Sequence, residues 1–392
     1  MRLVSLVFLI LLSSIFTGCF AEEENEFDWA DPIVSNCELN YDLTCVILFQ
    51  GTGTPHHAVV NPATNELWII YLSGIVKIWA EDQLIDAGDL TKIVNRCHTE
   101  QGLLGFVFDS NYNSTKQVLL SYVENGDCEG KNTSDLVLAS AKVFDSDNVI
   151  DIDTIEILKR VEQPYRNHNG GHLHSIGNGN YLWGIGDGGS SNDPDANGQN
   201  DDDLLGSIVY FEFSDNQVNP VMNPDSGDSF ILHYGLRNPW KFDVDQYERL
   251  WIADVGQNCW EEVNLVDLEN KSNLGWSDKE GFSEFSEEDG CNEETWSNDE
   301  EYTDPIFVYD HQNGNCSITG GYWTNDPVFS DGGGFLFGDF CSGSLWIISD
   351  NNDSWKETYL GSVGGLIVGF GEGPNDELLV FFWTGEIIQI IH

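Results

Sequence analysis

The sequence predicts an all-β protein with the short strands and tight turns of a β-propeller. Apolar segments rich in β-branched and aromatic residues alternate with Gly, Asn and Asp turns, and none shows a sustained 3.6-residue period. A turn, then Leu-Trp or Leu-Leu, then an apolar strand recurs, as expected for one strand in each blade of a propeller. A large array of β-sandwiches has similar strand statistics, and the diverged repeats do not fix a blade count. The recurring segments are ELWIIYL (66–72), NYLWGIGDGG (180–189), RLWIADVG (249–256), SLWIIS (344–349) and ELLVFFWTGEIIQII (377–391).

The composition indicates a folded domain and excludes several classes of partner. The 392 residues contain 16 Lys and Arg against 66 Asp and Glu, which gives a formal net charge of −50. Such a surface repels phosphate backbones and anionic lipid headgroups, so we expect no binding to nucleic acid. The chain is 41% hydrophobic and 12% aromatic, which is sufficient for a large core. No linker-like change of composition interrupts the chain, so we expect one domain over 32–392.

The N-terminal segment has the pattern of an export signal. Residues 1–21 contain one early arginine, an apolar run and then small residues, and the run is too short for a good membrane span. The sequence Phe16-Thr17-Gly18-Cys19 is similar to a bacterial lipobox, in which Cys19 is lipidated after cleavage. Ordinary cleavage after Ala21 is the alternative and removes Cys19. An acidic leader, 22–31, precedes the predicted propeller.

Eight cysteines remain outside the predicted signal segment. An even number of cysteines in an exported chain favours disulfides over reactive thiols. No Cys-x-x-Cys pair is present, which argues against a zinc site or a redox-active dithiol. Spacing alone does not define the pairing of Cys37, Cys45, Cys97, Cys128, Cys259, Cys291, Cys316 and Cys341.

Two short segments place polar side chains beside glycines, where chemistry is expected. His168 lies in the loop Asn-His-Asn-Gly-Gly-His, from which an imidazole can protrude into a cavity and act as a general base near neutral pH. A structural histidine that bonds to neighbouring backbone groups is the alternative interpretation. Arg237 and Asn238 combine a planar cation with an amide, which suits the binding of an anionic quinone or a carboxylate. An isolated Arg-Asn pair also serves commonly as a tie between loops.

Two acidic segments are candidate calcium sites. Glu261 and Glu262 follow the backbone carbonyls of Gly256 and Gln257, and carboxylate and carbonyl oxygens are the ligands that calcium prefers. In a chain this acidic, adjacent glutamates are also expected as solvated surface groups. The segment 193–198 resembles the opening of an EF-hand loop, but the loop has no glutamate at its twelfth position, so only a looser calcium-binding turn is expected. No nucleophile elbow, phosphate loop or His-Glu-x-x-His motif is present, which argues against the usual hydrolases, nucleotide-binding proteins and zinc proteases.

Seven motifs, taken in chain order, resemble the glucose/sorbosone dehydrogenase family, whose members are six-bladed propellers related to soluble quinoprotein sugar dehydrogenases. The resemblance extends from about His57 to the C-terminus. The fold that it implies is a six-bladed β-propeller. The motifs are QGLLGFVFD (101–109), NHNGGHL (167–173), IGDGG (185–189), GLRNPW (235–240), ADVGQNCWEEVNL (253–265), SITGGY (317–322) and FGDFCSG (337–343).

The resemblance also implies a site for pyrroloquinoline quinone (PQQ) at the top face of the propeller. His168 matches the family's general base, which takes the proton from the sugar C1 hydroxyl. Arg237 and Asn238 match the pair at the quinone carbonyls, so that Arg237 is expected beside the reacting atoms. Glu100 or Gln101 matches the polar residue that precedes the GLLG turn. These five residues are the expected catalytic and cofactor-binding set.

A calcium ion that bridges cofactor and protein is implied by the same resemblance. The backbone carbonyls of Gly256 and Gln257 match the family's calcium ligands, and Glu262 is a further candidate ligand. The family's PQQ-binding Lys aligns near Cys341 and its two Arg align near 363–365, yet neither stretch contains a cation. PQQ carries three carboxylates, and each lost charge-assisted contact costs roughly 1.5–3 kcal/mol.

This departure brings the chain closer to the hedgehog-interacting-protein-like branch, whose members share the SITGG and FGDF motifs and include extracellular binding proteins. A basic residue from elsewhere in the chain that reached the cleft, such as Lys241 or Arg166, would favour the enzyme. We also predict a disulfide between Cys316 and Cys341, because it would tie the SITGG loop to the FGDF strand.

The leading function is PQQ- and calcium-dependent oxidation of an aldose at C1 to the lactone, with electrons passed to an external acceptor. The alternative is a non-catalytic extracellular propeller that binds a glycan or a protein through the same cleft. The third candidate function is calcium-dependent adhesion through the acidic loops. In each case the protein is expected outside the cell or at its surface, and it contacts the membrane only through a lipid anchor at Cys19.

Overall fold

The computed structural model describes residues 37–80, 83–144, 148–222, 224, 226–286, 290–296, 301–326, 332–350 and 354–392. The signal segment, the lipobox and the acidic leader lie outside the described residues and stay predictions, as does the domain boundary at residue 32. Within the described residues, no helix has both the length and the apolar character needed to cross a membrane.

Six antiparallel sheets form the blades of a six-bladed β-propeller, which confirms the predicted fold. In each blade the first strand lies at the central channel, and the later strands follow outwards. The N-terminal segment first contributes two strands, β1 (Glu38–Leu39) and β2 (Thr44–Phe49).

Blades one to three contain the first half of the strands and the one short helix of the described chain, α1 (Tyr112–Thr115). Blade one contains β3 (Pro55–Val60), β4 (Leu67–Tyr71), β5 (Ile75–Ala80) and β6 (Gln83–Asp89). Blade two contains β7 (Leu103–Phe108), β8 (Gln117–Val123), β9 (Leu136–Phe144) and β10 (Val149–Val161). Blade three contains β11 (Leu173–Gly177), β12 (Asn180–Ile185), β13 (Ser207–Ser214), β14 (Gln217–Pro220) and β15 (Ile231–Tyr234).

Blades four to six complete the ring. Blade four contains β16 (Pro239–Val244), β17 (Arg249–Asp254), β18 (Trp260–Asp267) and, after an insertion, β23 (Phe307–Asp310). The insertion contains β19 (Ser272–Asn273), which joins blade three, and a small sheet of β20 (Lys279–Glu280), β21 (Ser283–Ser286) and β22 (Gly290–Trp296). Blade five contains β24 (Ile318–Thr324), β25 (Gly334–Asp339), β26 (Ser344–Asp350) and β27 (Trp355–Ser362). Blade six contains β28 (Ile367–Glu372), β29 (Leu378–Phe382) and β30 (Ile387–Ile391).

The N-terminal segment closes the ring. Strand β2 is the outermost strand of blade six, with Thr44 opposite Ile391, and β1 pairs with β27 of blade five. A disulfide between Cys37 and Cys45 links the two short strands. The chain therefore fastens its last two blades with residues from its beginning, which removes a free sheet edge.

The predicted Leu-Trp repeat forms the second strand of blades one, three and four. Its tryptophans, Trp68, Trp183 and Trp251, are completely buried. They lie between blades: the Trp183 indole donates a hydrogen bond of 2.8 Å to Ser121 Oγ in blade two, and the Trp251 ring stacks on Phe335 of blade five. Burying these three large rings between blades adds apolar stabilisation to the fold.

Blade five departs from the repeat. Its SLWIIS segment forms the third strand, β26, whereas the second strand is β25. The interpretation of this segment as equivalent to the other Leu-Trp strands is therefore wrong. Trp346 is only partly buried, because it stacks near the outer side of its sheet on Phe337 and Tyr309.

Disulfides brace the loops, as the cysteine count predicted. Cys316 and Cys341 are bonded, with Cα atoms 5.6 Å apart, which confirms the predicted pair. A further bond joins Cys97 to Cys128, and Cys259 is also disulfide-bonded.

Candidate functional site

The polar motifs meet where the innermost strands begin. Glu100 precedes β7, His168 precedes β11 and Asn238 precedes β16, and the geometry of a propeller brings these starts to one face. Glu100 Oε2 accepts hydrogen bonds from the His168 backbone N–H at 2.6 Å and from Asn238 Nδ2 at 3.4 Å. Asn238 Oδ1 accepts one from the Gly170 N–H at 3.1 Å. Three residues predicted from separate motifs are therefore in direct contact.

His168 is held in one orientation by a buried carboxylate. Its ring is almost fully buried, its backbone is in the left-handed region with φ of 53°, and Nδ1 lies 2.8 Å from Asp187 Oδ1. Asp187 is itself fixed by hydrogen bonds from the Gly189 N–H and from the Trp276 indole, both at 2.9 Å. Because a carboxylate accepts a hydrogen bond from Nδ1–H, the neutral imidazole keeps its lone pair on Nε2. In the described part of the chain, Nε2 makes no hydrogen bond.

Gly186 explains why the IGDGG motif has a glycine at this position. A Cβ there would lie 2.1 Å from the His168 carbonyl oxygen and 3.1 Å from that of Arg237. Any larger residue would separate the loop that carries His168 from the loop that carries Arg237. Asp187 follows immediately and donates its backbone N–H to the Arg237 carbonyl at 2.8 Å.

The Arg237-Asn238 dipeptide is anchored through its backbone. The two N–H groups donate to the two oxygens of Asp254, at 2.8 and 2.7 Å. The Arg237 guanidinium lies 5.4 Å from the centre of the Trp276 ring, and its Nη1 donates to the Gly256 carbonyl at 2.8 Å. Its Nε is buried without a partner in the described residues. The cation therefore lies on the indole that bonds Asp187, the partner of His168, and has one donor still to satisfy.

The residues predicted to bind calcium each have their own hydrogen-bond partners in the protein. The carbonyl of Gly256 accepts the hydrogen bond from Arg237, and the Gln257 side chain exchanges two hydrogen bonds of 2.6 Å with Asn192. Glu262 is buried, and its oxygens accept from Asn264 Nδ2 at 2.8 Å and from a backbone N–H at 3.1 Å. Burial and the nearby carboxylate of Asp254 raise the pKa of Glu262 well above its usual value. No group of three or more His, Cys, Asp or Glu side chains in the described chain is arranged to hold a metal ion.

The EF-hand-like segment uses its first carboxylate internally. Asp193 accepts hydrogen bonds from the backbone N–H groups of Asn197 and Gly198, at 2.8 and 2.9 Å, and from Ser277 Oγ at 3.1 Å. These contacts fold the turn back on itself. Glu261, the other acidic candidate, lies elsewhere and accepts from His311 Nε2 at 2.8 Å.

A buried glutamate that no motif indicated holds the Gly256 loop. Glu280 is 3% exposed, and its Oε1 accepts four consecutive backbone N–H groups at 2.8–3.0 Å. Such a nest of amides is an anion site, occupied here by the chain's own carboxylate. The donors are Gln257, Asn258, Cys259 and Trp260.

Neither of the two basic residues considered as replacement cations joins this group. Lys241 is 3% exposed in the central channel, where its Nζ lies 3.1 Å from His56 Nδ1, and burial lowers its pKa to about 7. Arg166 donates to the backbone carbonyls of Gly130 and Asp127, at 2.9 and 3.1 Å.

A second cavity, of about 590 Å³, opens at the other end of the channel, where the innermost strands end. Histidines, carboxylates and the lysine of the channel line it: His57, His172, His174, Lys241, Asp243 and Glu372. The ring nitrogens of His57 and Nδ1 of His172 are buried without partners in the described residues. Burial, reinforced by the charge of Lys241, lowers the pKa of both histidines well below the usual value, so they are neutral near pH 7.

Comparisons with known proteins agree with this architecture. A sequence profile of the family described as Glucose / Sorbosone dehydrogenase matches residues 54–374. HIPL2 protein of Arabidopsis thaliana is 29% identical over 258 residues, which are 58% of this chain and 34% of that protein. Aldose sugar dehydrogenase YliI of Escherichia coli is 26% identical over 211 residues, which are 52% of this chain and 49% of that protein. The matched region thus spans about a third to a half of the length of these relatives.

Solved structures show the same fold. The apo-form of the soluble aldose sugar dehydrogenase from Escherichia coli superposes with a TM-score of 0.71 at 20% identity, over 89% of this chain and 99% of that one. The PQQ-bound aldose sugar dehydrogenase from Streptomyces coelicolor gives a TM-score of 0.69 at 16% identity, over 90% and 99%. At these identities the likeness establishes the propeller and leaves the chemistry to the residues of the cleft.

Proposed function

The chain belongs to the glucose/sorbosone dehydrogenase family, and we propose that it is an exported PQQ-dependent oxidoreductase that oxidises an aldose at C1 to the lactone. The observation that carries the proposal is the His168–Asp187 pair beside Arg237. A base with one fixed tautomer, an anion-binding cation and an amide converge on one face. The sugar and an external electron acceptor are its proposed partners.

The donors at this face fit a planar, anionic quinone. Both polar atoms of the Gln101 side chain are buried without partners in the described residues, and so is Arg237 Nε. A buried amide without a partner costs roughly 1–3 kcal/mol, which a ligand that accepts and donates hydrogen bonds would recover. The Trp276 indole beside Arg237 supplies an aromatic wall. Gln101, Arg237 and Asn238 are therefore the proposed PQQ-binding residues, with Glu100 holding Asn238 and the His168 backbone in place.

The calcium site implied by the resemblance does not fit the observed arrangement. Calcium needs several oxygen ligands, and the Gly256 carbonyl already accepts a charge-assisted hydrogen bond from Arg237. Glu262, the further candidate ligand, is bonded within the core.

His168 and Asp187 perform the proton transfer in this proposal. When bound, PQQ supplies the two-electron acceptor for the hydrogen on sugar C1. His168 Nε2 takes the proton of the C1 hydroxyl, so that the C1–O bond becomes the lactone carbonyl as C1 loses its hydrogen. Asp187 stabilises the imidazolium that forms and keeps Nε2 directed to the substrate. Arg237 and Asn238 hold the quinone oxygens at the same face.

The test is a titration of the purified protein with PQQ in high salt, followed by calorimetry, with and without calcium. We expect saturable binding of one PQQ and sugar-dependent reduction of an artificial acceptor. His168→Ala should retain PQQ binding and lose at least about 100-fold in turnover, as expected for removal of a general base. His174→Ala, at the opposite end of the channel, is the matched control and should keep both properties. Absence of PQQ binding at high micromolar concentration would reject the enzyme.

A binding protein without catalysis is the second candidate function, and one observation favours it. The stretches at Cys341 and 363–365 contain no cation for the carboxylates of PQQ. A propeller that presents this cleft to a glycan or an extracellular protein has no need of such cations. In that case glycan or protein ligands would bind the purified protein, and PQQ would not compete with them.

A further inference from the structure

Arg96 is a cation at the predicted PQQ face that no motif singled out. It lies in the connection between blades one and two, next to the buried Gln101. Its Nη1 donates to the backbone carbonyls of Gln101 and Thr99, the latter at 2.9 Å. Its guanidinium carbon lies 5.9 Å from the centre of the Trp383 ring. The residue as a whole is exposed, although partial burial of its guanidinium lowers the pKa from the usual arginine value. Both hydrogen bonds use Nη1, so Nε and Nη2 make none in the described residues.

Arg96 lies on a tryptophan that contacts residues adjoining both stretches that lack the expected cations. Trp383, over which it lies, donates its backbone N–H to the Leu366 carbonyl at 2.9 Å, directly after 363–365. The same indole packs edge-on against the ring of Phe340, the residue before Cys341, with ring centres 6.1 Å apart. The two stretches also touch each other, since a Cβ on Gly343 would lie 2.7 Å from the Gly365 carbonyl oxygen. Blade six therefore places Arg96 beside both.

The charge of Arg96 is not balanced by the protein. In the described chain its contacts are two neutral carbonyls and an indole, and no carboxylate pairs with it. Several other cations do pair with carboxylates: Lys77 lies 2.6 Å from Asp86, and Arg249 lies 2.6 Å from Asp245. Carbonyl contacts fix the guanidinium while leaving its charge for an anion.

We propose that Arg96 pairs with a carboxylate of bound PQQ and so replaces, from a different blade, a cation that the late blades lack. The inference rests on the proposed function of the same site. The bound quinone would lie between Arg237 with Trp276 on one side and Arg96 with Trp383 on the other. Arg96 thereby sets the affinity for the anionic cofactor and takes no part in proton transfer.

The test compares the PQQ affinity of the unsubstituted protein with that of Arg96→Gln and Arg96→Lys. Loss of a charge-assisted hydrogen bond predicts a Kd about 10- to 100-fold higher for Arg96→Gln. Arg96→Lys keeps the charge and should give an intermediate value. Lys356→Gln, an exposed substitution on β27, removes the same charge far from Arg96 and should leave the Kd unchanged. Calorimetry is the readout, so no turnover is needed.

PQQ trimethyl ester separates a charge contact from a distorted loop. If Arg96 binds a carboxylate, Arg96→Gln should weaken PQQ but bind the ester as well as the unsubstituted protein does. Equal weakening of acid and ester would show that the substitution disturbs the Gln101 loop and would overturn the inference. An unchanged Kd for PQQ would also overturn it, while leaving the proposed function intact. Failure of the unsubstituted protein to bind PQQ would overturn both.

Discussion

Replacing Lys241 with methionine should change how the stability of the propeller depends on pH. Lys241 is buried in the channel, its Nζ bonds only to the imidazole of His56 within the described chain, and burial lowers its pKa to about 7. The unfolded chain binds this proton with a pKa near 10.5. Between these values the unfolded state carries more protons than the native state, so the free energy of unfolding rises with pH.

The size of the effect follows from the two pKa values. Below pH 7 both states are protonated and the cost of the buried charge is fully present. Above pH 7 the native state loses the proton, and the cost is relieved by up to about 1.4 kcal/mol for each pH unit. Integrated from pH 6 to pH 9 with values of 7 and 10.5, the contribution of Lys241 improves by about 2.6 kcal/mol. A methionine side chain cannot titrate, so the advantage of Lys241→Met over the unsubstituted protein should shrink by this amount.

The histidines around Lys241 do not produce the same pH dependence of the free energy of unfolding. His56 and His57 on β3 and His172 before β11 contact or surround the amine, and burial lowers the pKa of each well below the usual value. They are therefore neutral in the native state from pH 6 to pH 9. Their titration in the unfolded chain occurs in both proteins and cancels in the difference.

Urea unfolding at pH 6, 7, 8 and 9, with disulfides intact and salt constant, measures the difference directly. Lys356→Met, exposed on β27, is the control and should give a difference independent of pH. A difference between Lys241→Met and the unsubstituted protein that is flat across this range would refute the reasoning. It would mean that the buried amine keeps its ordinary pKa.

The remaining predictions concern the proton-transfer pair, the amide nest and a disulfide. Asp187→Asn should lower turnover by about 100-fold or more, because the amide cannot stabilise the imidazolium of His168. The PQQ affinity measured by calorimetry should stay within about threefold. An equal loss of affinity would instead indicate a collapsed cleft. Glu280→Gln should lower the free energy of urea unfolding by roughly 2 kcal/mol, since a neutral oxygen replaces the anion in the nest; no change would deny it a role in holding the loop. Replacing Cys316 and Cys341 together with serine should cost about 3.5 kcal/mol for a separation of 25 residues, measured in the same way; a loss below about 1 kcal/mol would contradict the chain-entropy estimate.

Sequence patterns predicted the parts of this protein that depend on short stretches of chain. The Leu-Trp repeat located the second strands of three blades, because a large ring beside a turn must be buried between sheets. The repeat gave a wrong prediction in blade five, where Trp346 lies on the third strand. No local sequence signal distinguishes a second strand from a third strand. Period-two patterns indicate that a strand is half-buried but carry no information on its order in the blade.

The residues of the site divide in the same way. The shared location of His168, Arg237 and Asn238 could be predicted because their motifs immediately precede innermost strands, so that sequence position determines the place on the face. The places of Arg96 and Glu280 could not be predicted, because each contacts a segment distant in sequence. Arg96 lies over the ring of Trp383, and Glu280 accepts hydrogen bonds from the amides that follow Gly256. An arginine without a nearby glycine, and a glutamate in a chain with 66 acidic residues, have no distinguishing pattern.

The Gly256 carbonyl shows why the motif predicts the fold more securely than the cofactors. The sequence around it matches the family's calcium loop, and Glu280 fixes that loop through four amides. Yet the guanidinium of Arg237 donates to the same carbonyl oxygen, at 2.8 Å. A divalent cation and a guanidinium repel each other at hydrogen-bond range, so calcium could bind here only after Arg237 turned away. In the proposed function the same positive charge serves an anion instead, and Arg96 supplies a second cation for a carboxylated ligand.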